Sequence, residues 1–319
     1  MRKASAILLT LCVTTTATAT HPEAHFTGPL VTPNASALPA GVAVLEPYLI
    51  YTESHAFYDD RGDRHSNHPG SHQWLLLAPF TIGITDRLNG QLVVGNAYNA
   101  SGKSHSDGMR LTDTSLTLQY MLVAPQPDGT GPAVSVGYTH VFPTGAYHQL
   151  GDNPLNGTGT GSSANRLSVF AQQLFWLPNN HPLRIRALLA WGPSPSRVRI
   201  NDVSTHGTPV GFQGTAKRGT SLGATASVEY GLDRHWVLAA DFTWDHQNGT
   251  KVDGQQCLPA QGCTDATQRN GPHWSYSVAP AVEYNFNASV GLIFGAQISI
   301  AGHNSPAYWA PQVALNMAL

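Results

Sequence analysis

Strict two-residue alternation constrains this chain more than any other feature. From Thr220 to Leu232, Leu222, Ala224, Ala226, Val228, Tyr230 and Leu232 fall on one side. Ser221, Gly223, Thr225, Ser227, Glu229 and Gly231 fall on the other. A pleated strand sends successive side chains to opposite faces, so the segment has one apolar face and one wet face. The pattern recurs: Trp236, Leu238, Ala240, Phe242 and Trp244 share a face, as do Trp274, Tyr276, Val278, Pro280, Val282, Tyr284 and Phe286. Aromatic residues at both ends of an aliphatic run match the two interfacial girdles of a bilayer-crossing strand.

Twelve such segments are predicted: 42–51, 73–85, 90–98, 112–124, 132–142, 166–177, 183–192, 220–232, 236–245, 273–286, 289–301 and 308–319. Connections after the even-numbered segments are short. Those after the first, third, fifth, seventh and ninth are long, and the one after the eleventh is intermediate. An even strand count with short turns at one end and long loops at the other is the plan of an outer-membrane barrel. The expected fold is therefore all-β: a transmembrane, antiparallel, up-and-down β-barrel with both chain ends on the short-turn, periplasmic side. Strand spacing and a tilt of about 40° give a backbone diameter of roughly 24 Å. Leu222, Val228, Leu238, Phe242, Val278, Val282, Leu292, Leu315 and Met317 are expected to face lipid. The stretches 145–165, 194–219 and 246–272 are rich in Gly, Pro, Ser, Thr and Asn and are expected to be solvated loops. Pro47, Pro79, Pro280 and Pro311 fall inside strand segments, where proline removes a ladder donor. Bulges or strand ends must absorb them.

Composition agrees with this plan. Charged residues make up 11% of the 319, against about 25% in an ordinary soluble domain. Lys and Arg number 17 against 19 Asp and Glu, which argues against a nucleic-acid partner. The start of the chain has the form of a secretory signal: Arg2 and Lys3, an apolar run from Ala4 to Val13, then Ala17-Thr18-Ala19 as a small-x-small cleavage site. The predicted division is a signal peptide over 1–19, a periplasmic segment over 20–41 and the barrel over 42–319. A lipoprotein reading of Cys12 fits less well, because Leu11 stands where a small residue belongs. Cys257 and Cys263 are expected to form a disulfide in an outer loop, since export delivers them to an oxidising compartment; a metal pair is the alternative.

Charges on the wet faces are the candidate functional residues: Arg184 and Arg186 in the seventh segment, Glu229 in the eighth, Asp241 in the ninth, Glu283 in the tenth and Glu46 in the first. They form either a lining that selects solutes or a set of cross-strand ion pairs that fills the lumen. Arg184 or Arg186 is predicted to meet Glu229. His55, His65, His68 and His72 crowd the first long loop with Asp59, Asp60 and Asp63, a set that could capture a metal or simply keep the loop polar. His273-x-Ser275 and His303-x-Ser305 have the spacing used by lipid-active barrel hydrolases, but neither comes with an orienting third group. Gly157, Gly159 and Gly161 do not join a strand to a helix, so they make no phosphate loop.

Pro33, then Leu38-Pro39-Ala40-Gly41, then Val44-Leu45-Glu46-Pro47-Tyr48, with Asp86-Arg87-Leu88 at the first short turn, resembles the family of outer-membrane barrels named for the meta-pathway of phenol degradation. The resemblance implies an outer-membrane channel or transporter for small solutes, aromatic or apolar ones among them. It implies no catalytic residues, so no enzyme, no cofactor and no metal site are expected. The partners expected are membrane lipid and a small solute. A lipid-active hydrolase and a plugged binding or adhesion barrel are the competing readings.

Overall fold

The computed structural model describes residues 24–127, 129–259 and 262–319. The predicted signal segment and Cys12 lie outside the described residues. Among the described residues, twelve strands close a barrel. Strand β1 is in two parts, Ala43–Leu45 and Tyr48–Tyr58. The others are β2 Arg64–Thr85, β3 Leu88–Ser101, β4 Thr114–Val123, β5 Gly131–Phe142 and β6 Ala164–Trp176. They continue as β7 Pro182–Gly192, β8 Ser221–Gly231, β9 Trp236–Gln247, β10 His273–Asn285, β11 Val290–His303 and β12 Ser305–Ala318. Successive strands pair antiparallel, and β12 closes onto β1 through Gln312↔Ile50 and Val313↔Leu49.

All twelve expected segments are strands. The ends differ most at the first long loop, where β1 runs to Tyr58 and β2 starts at Arg64. The residues added to β2, 64–72, are polar on both faces, while β1 ends in the unbroken apolar run Ala56-Phe57-Tyr58, so neither extension alternates. The prolines sit where the ladder is already broken. Pro47 falls in the gap between the two parts of β1. Pairing of β10 with β11 skips from Val278↔Ile298 to Ala281↔Gly295 around Pro280. Pairing of β12 with β1 skips from Trp309↔Glu53 to Gln312↔Ile50 around Pro311.

The two faces of the wall separate cleanly. Phe242 is 58% exposed on the outside, whereas Asp241, its neighbour in sequence, is 0% exposed on the inside. Leu222, Val228 and Leu238 are exposed on the outer face. Val278, Val282, Leu292, Leu315 and Met317 are partly exposed there. An apolar belt of this extent, buried against nothing in the protein, is stable only against hydrocarbon.

Two stretches depart from expectation. The long connections after β7 and β9 are not plain loops. They carry four strands that form a separate sheet in the order Val198–Asn201, Phe212–Lys217, Thr250–Leu258, Gly262–Asn270. One face of this cap sheet buries Val198, Ile200, Phe212, Ala216 and Val252, with Tyr147 from the loop after β5 packed on them. Cys257 pairs with Cys263 across its last hairpin in a disulfide. The second departure is at the other end. The sequence puts 20–41 in the periplasm as a separate segment; its described part, from residue 24, instead runs into the lumen and is bound there by the walls.

Candidate functional site in the lumen

The lumen segment, residues 24–38, has no regular structure, so its backbone groups need partners. The inner faces of the strands supply them in sequence around the wall. Asn285 on β10 accepts from the Thr27 hydroxyl at 2.9 Å, and Glu283 accepts from the Gly28 N–H at 3.0 Å. Asp241 on β9 accepts from the N–H groups of Val31 and Thr32 at 3.3 and 2.9 Å. Gln172 on β6 accepts from Ala35 and donates to Ser36. Gln119 on β4 donates to the Asn34 carbonyl at 3.0 Å, and Asn89 on β3 accepts from Leu38 at 2.9 Å. All these wall residues lie in the short-turn half of their strands, so the segment crosses the short-turn mouth.

Packing follows the same plan. Leu30 enters a socket formed by Ala239, Ala279, Ala281, Ile293 and Ala314, with Tyr48 beside it. Small inward residues on β9, β10 and β12 leave the volume that one leucine fills beside Ile293. Ala35 packs likewise on Ala133 and Phe170. Gly291 is required by close approach, since a Cβ there would collide with the Thr27 side chain.

The predicted charges assemble here. Arg184 and Glu229 are direct cross-strand partners. Arg184 Nε donates to Glu229 Oε2 at 2.8 Å and Nη2 donates to Oε1, a bidentate fork. Arg186 Nε lies 3.0 Å from Glu229 Oε2, and its Nη1 donates to the Thr32 carbonyl at 3.3 Å. The Phe26 ring lies 4.1 Å from the Arg184 guanidinium, a cation–π contact from the segment to the wall. Glu46 accepts from Asn316 at 3.3 Å. Thus Arg184, Arg186 and Glu229 form one ion cluster, while Asp241 and Glu283 are spent on backbone N–H groups of the lumen segment. The arrangement holds two guanidinium groups and four carboxyl groups in a low-dielectric space, where each is costly unless partnered.

Above the segment lies a cavity of about 720 Å³. Val44, Tyr48, Ile50, Leu77, Pro79 and Val93 on β1–β3 give it an apolar arc, and Thr117, Gln119, Thr139 and Ser168 on β4–β6 face that arc. Arg166 also lines it. The sequence reading begins the sixth segment at Arg166 without assigning it, although Arg166 shares the inward parity of Ser168 and Phe170. The lumen segment itself is missed, and only its Gly28 and small neighbours hint at close packing.

Other candidate chemistry does not assemble. His65 binds Asp59 at 2.8 Å, His55 meets Arg64 and His72 meets Tyr51; no group of three metal ligands forms among the described residues. His303 stacks on Trp274, whereas Ser305 is buried with its hydroxyl unpartnered. His273 and Ser275 stand across from Gln247 and Asp245 on β9, and among the described residues no hydrogen bond joins His273 to Ser275 or to Asp245.

The backbone is similar to that of an outer-membrane channel from Pseudomonas putida F1. The TM-score is 0.63 at 15% identity, covering 91% of this chain and 100% of that one. Looser likenesses include a deletion mutant of the TodX monoaromatic hydrocarbon channel, with TM-score 0.43, 11% identity and coverage of 88% and 91%. The translocator domain of the autotransporter NalP from Neisseria meningitidis has TM-score 0.44, 10% identity and coverage of 88% and 89%. No family model matches the chain, and no curated protein matches it in sequence. At such identities the likeness is one of fold: a closed outer-membrane-type barrel.

Proposed function

We propose that this protein is an outer-membrane channel for small solutes, exported through a cleaved signal, with its short-turn mouth in the periplasm and narrowed there by residues 24–38. The observation that carries this reading is the lumen itself. It keeps a cavity of about 720 Å³ with mixed polar and apolar walls inside a closed wall whose outer face is apolar. The amphipathic lining suits small solutes with both an apolar body and a polar group, aromatic ones included. Passage along it requires no cofactor and no chemistry.

The test is single-channel conductance of the reconstituted full-length protein in a planar bilayer. Discrete openings are expected. Glu229→Gln removes the carboxylate that Arg184 and Arg186 share, so the reversal potential in a salt gradient should shift toward anion selectivity. An unchanged reversal potential removes this cluster from the pathway. The lumen segment also favours a second reading, a plugged binding barrel. That reading predicts no conductance from the intact protein.

A further inference from the structure

The outer face of the barrel changes chemistry abruptly at the long-loop end of β1–β3. Tyr51, Trp74 and Tyr98 are cross-strand neighbours in one row, and all three point outward, as an aromatic girdle does. The next outward row toward the loops runs Trp309, Glu53, His72, Ala100, His105. Two imidazoles therefore flank an alanine across neighbouring strands. With strands about 4.8 Å apart, they stand roughly 10 Å from each other over a gap with no side chain beyond a methyl group.

Each imidazole is braced on the girdle below it. His72 Nδ1 lies 2.8 Å from the Tyr51 hydroxyl, and the His105 ring stacks on Tyr98 at 6.0 Å. His105 Nδ1 lies 2.9 Å from the Ser106 carbonyl. Both rings are thus held by Nδ1, which leaves Nε2 for a partner outside the barrel; His105 Nδ1 must carry the proton it gives to the Ser106 carbonyl, so its Nε2 donates to a phosphate only as the imidazolium that a bound anion would favour. Lys103, exposed at the tip of the same hairpin, adds a cation two residues from His105. A second cavity, of about 680 Å³, adjoins Lys103 and His105.

Two of the acids near this row hold partners of their own, although Glu53 stands in the row itself, across from His72. Glu53 accepts from the Trp309 indole N–H at 2.8 Å. Asp107 is held by Arg110 at 3.3 Å and Asn156 at 2.7 Å. Asp152 stands across the second cavity. Arg64 and His55, 3.1 Å apart, lie further out on β1 and β2.

We propose that this face, centred on His72, Ala100, His105 and Lys103, docks the phosphate headgroup of a lipid in the surrounding leaflet. The level decides the occupant. Donors placed one row above an aromatic girdle sit at headgroup depth, and ammonium and imidazole N–H groups are phosphate donors. The acyl chains of the same lipid would run down the belt beneath, over Trp74 and Leu76, which are exposed. The inference rests on the barrel being membrane-embedded, as in the proposed function, but not on its conducting.

The test uses full-length protein in nanodiscs of a neutral lipid doped with a bisphosphorylated glycolipid or with its dephosphorylated form. Lipid retained on the released protein is read by native mass spectrometry. Retention of the phosphorylated form alone is expected, and a His72→Gln/Lys103→Gln/His105→Gln variant should lose it by about tenfold. Folding of the variant is checked by its heat-dependent gel shift, and the single variant Lys103→Gln gives a smaller loss if the triple variant does not fold. Equal retention of both lipid forms, or unchanged retention by the folded variant, overturns the proposal. Conductance of the same preparation separates the two readings: openings without phosphate-dependent retention remove only the docking site. Retention without openings removes only the channel.

Discussion

The two ends of the barrel are built in opposite ways. At the short-turn mouth an irregular segment crosses the lumen, and its partners are side chains from strands far away in sequence: Gly28 to Glu283, Thr32 to Asp241, Ala35 to Gln172. At the long-loop mouth a regular four-stranded sheet is tied by ladder hydrogen bonds, with its own apolar cluster and a disulfide. The first structure depends on buried polar and charged groups of the wall, the second on local pairing. Damage to the barrel charges should therefore reach the short-turn mouth and leave the cap sheet alone, while damage to the cap should stay in the cap.

The largest expected effect is at Glu229. Glu229→Leu leaves Arg184 and Arg186 buried without their shared carboxylate, which should cost about 3–5 kcal/mol in the denaturant unfolding of the barrel. A variant as stable as the parent would mean that the cluster is solvated. Next, Leu30→Ala empties the alanine socket and should weaken docking of the lumen segment by about 2–3 kcal/mol. Amide exchange over 27–38 should quicken while that of 250–270 does not change. Parallel changes at both ends would break the comparison. Third, replacing Cys257 and Cys263 by serine frees a short loop, worth about 2 kcal/mol in the chain-entropy account. The effect should be confined to faster exchange in 250–270, with the barrel midpoint unmoved.

The smallest effect is in acid. The hydrogen bond from Lys251, with Arg197 and Arg269 nearby, holds the Asp253 carboxyl below its usual range. A carboxyl depressed in the fold stabilises it fully above its unfolded value, near 3.9, and loses that contribution as pH falls through the folded value. Exposure screens the pair, so only a modest quickening of exchange in the cap sheet is expected between about pH 4 and lower values. No pH response there would show that Lys251 and Asp253 are held apart in solution.

Legibility from sequence divides along the same line. The wall is readable because belt and lumen impose strict alternation, as in Ala226, Ser227, Val228, Glu229. The ion cluster is readable too, because Arg184 and Glu229 share parity and depth in adjacent strands. The cap sheet is not: strand Gly262–Asn270 is polar on both faces, exposed along nearly all its length, and so carries no period. The lumen segment is less legible still. Its contacts join residues separated by up to 260 positions, and an extended chain satisfied by side chains leaves no local pattern. Pro79 shows the intermediate case. It stands within β2 opposite the break in β1, and its carbonyl accepts from Glu46 at 2.9 Å, a fit that only the paired strands reveal.

The path of the lumen segment also sets an order of assembly. Asp241 stands on the ninth strand, Glu283 and Asn285 stand on the tenth, and the Leu30 socket needs Ala314 on the closing strand. Until β12 pairs with β1, the socket for Leu30 lacks its Ala314 wall and residues 24–38 cannot be fully seated. Residues 24–38 precede every wall strand in the chain and are thus the last to be seated. Protection of these residues from protease would report a finished barrel rather than a folding one.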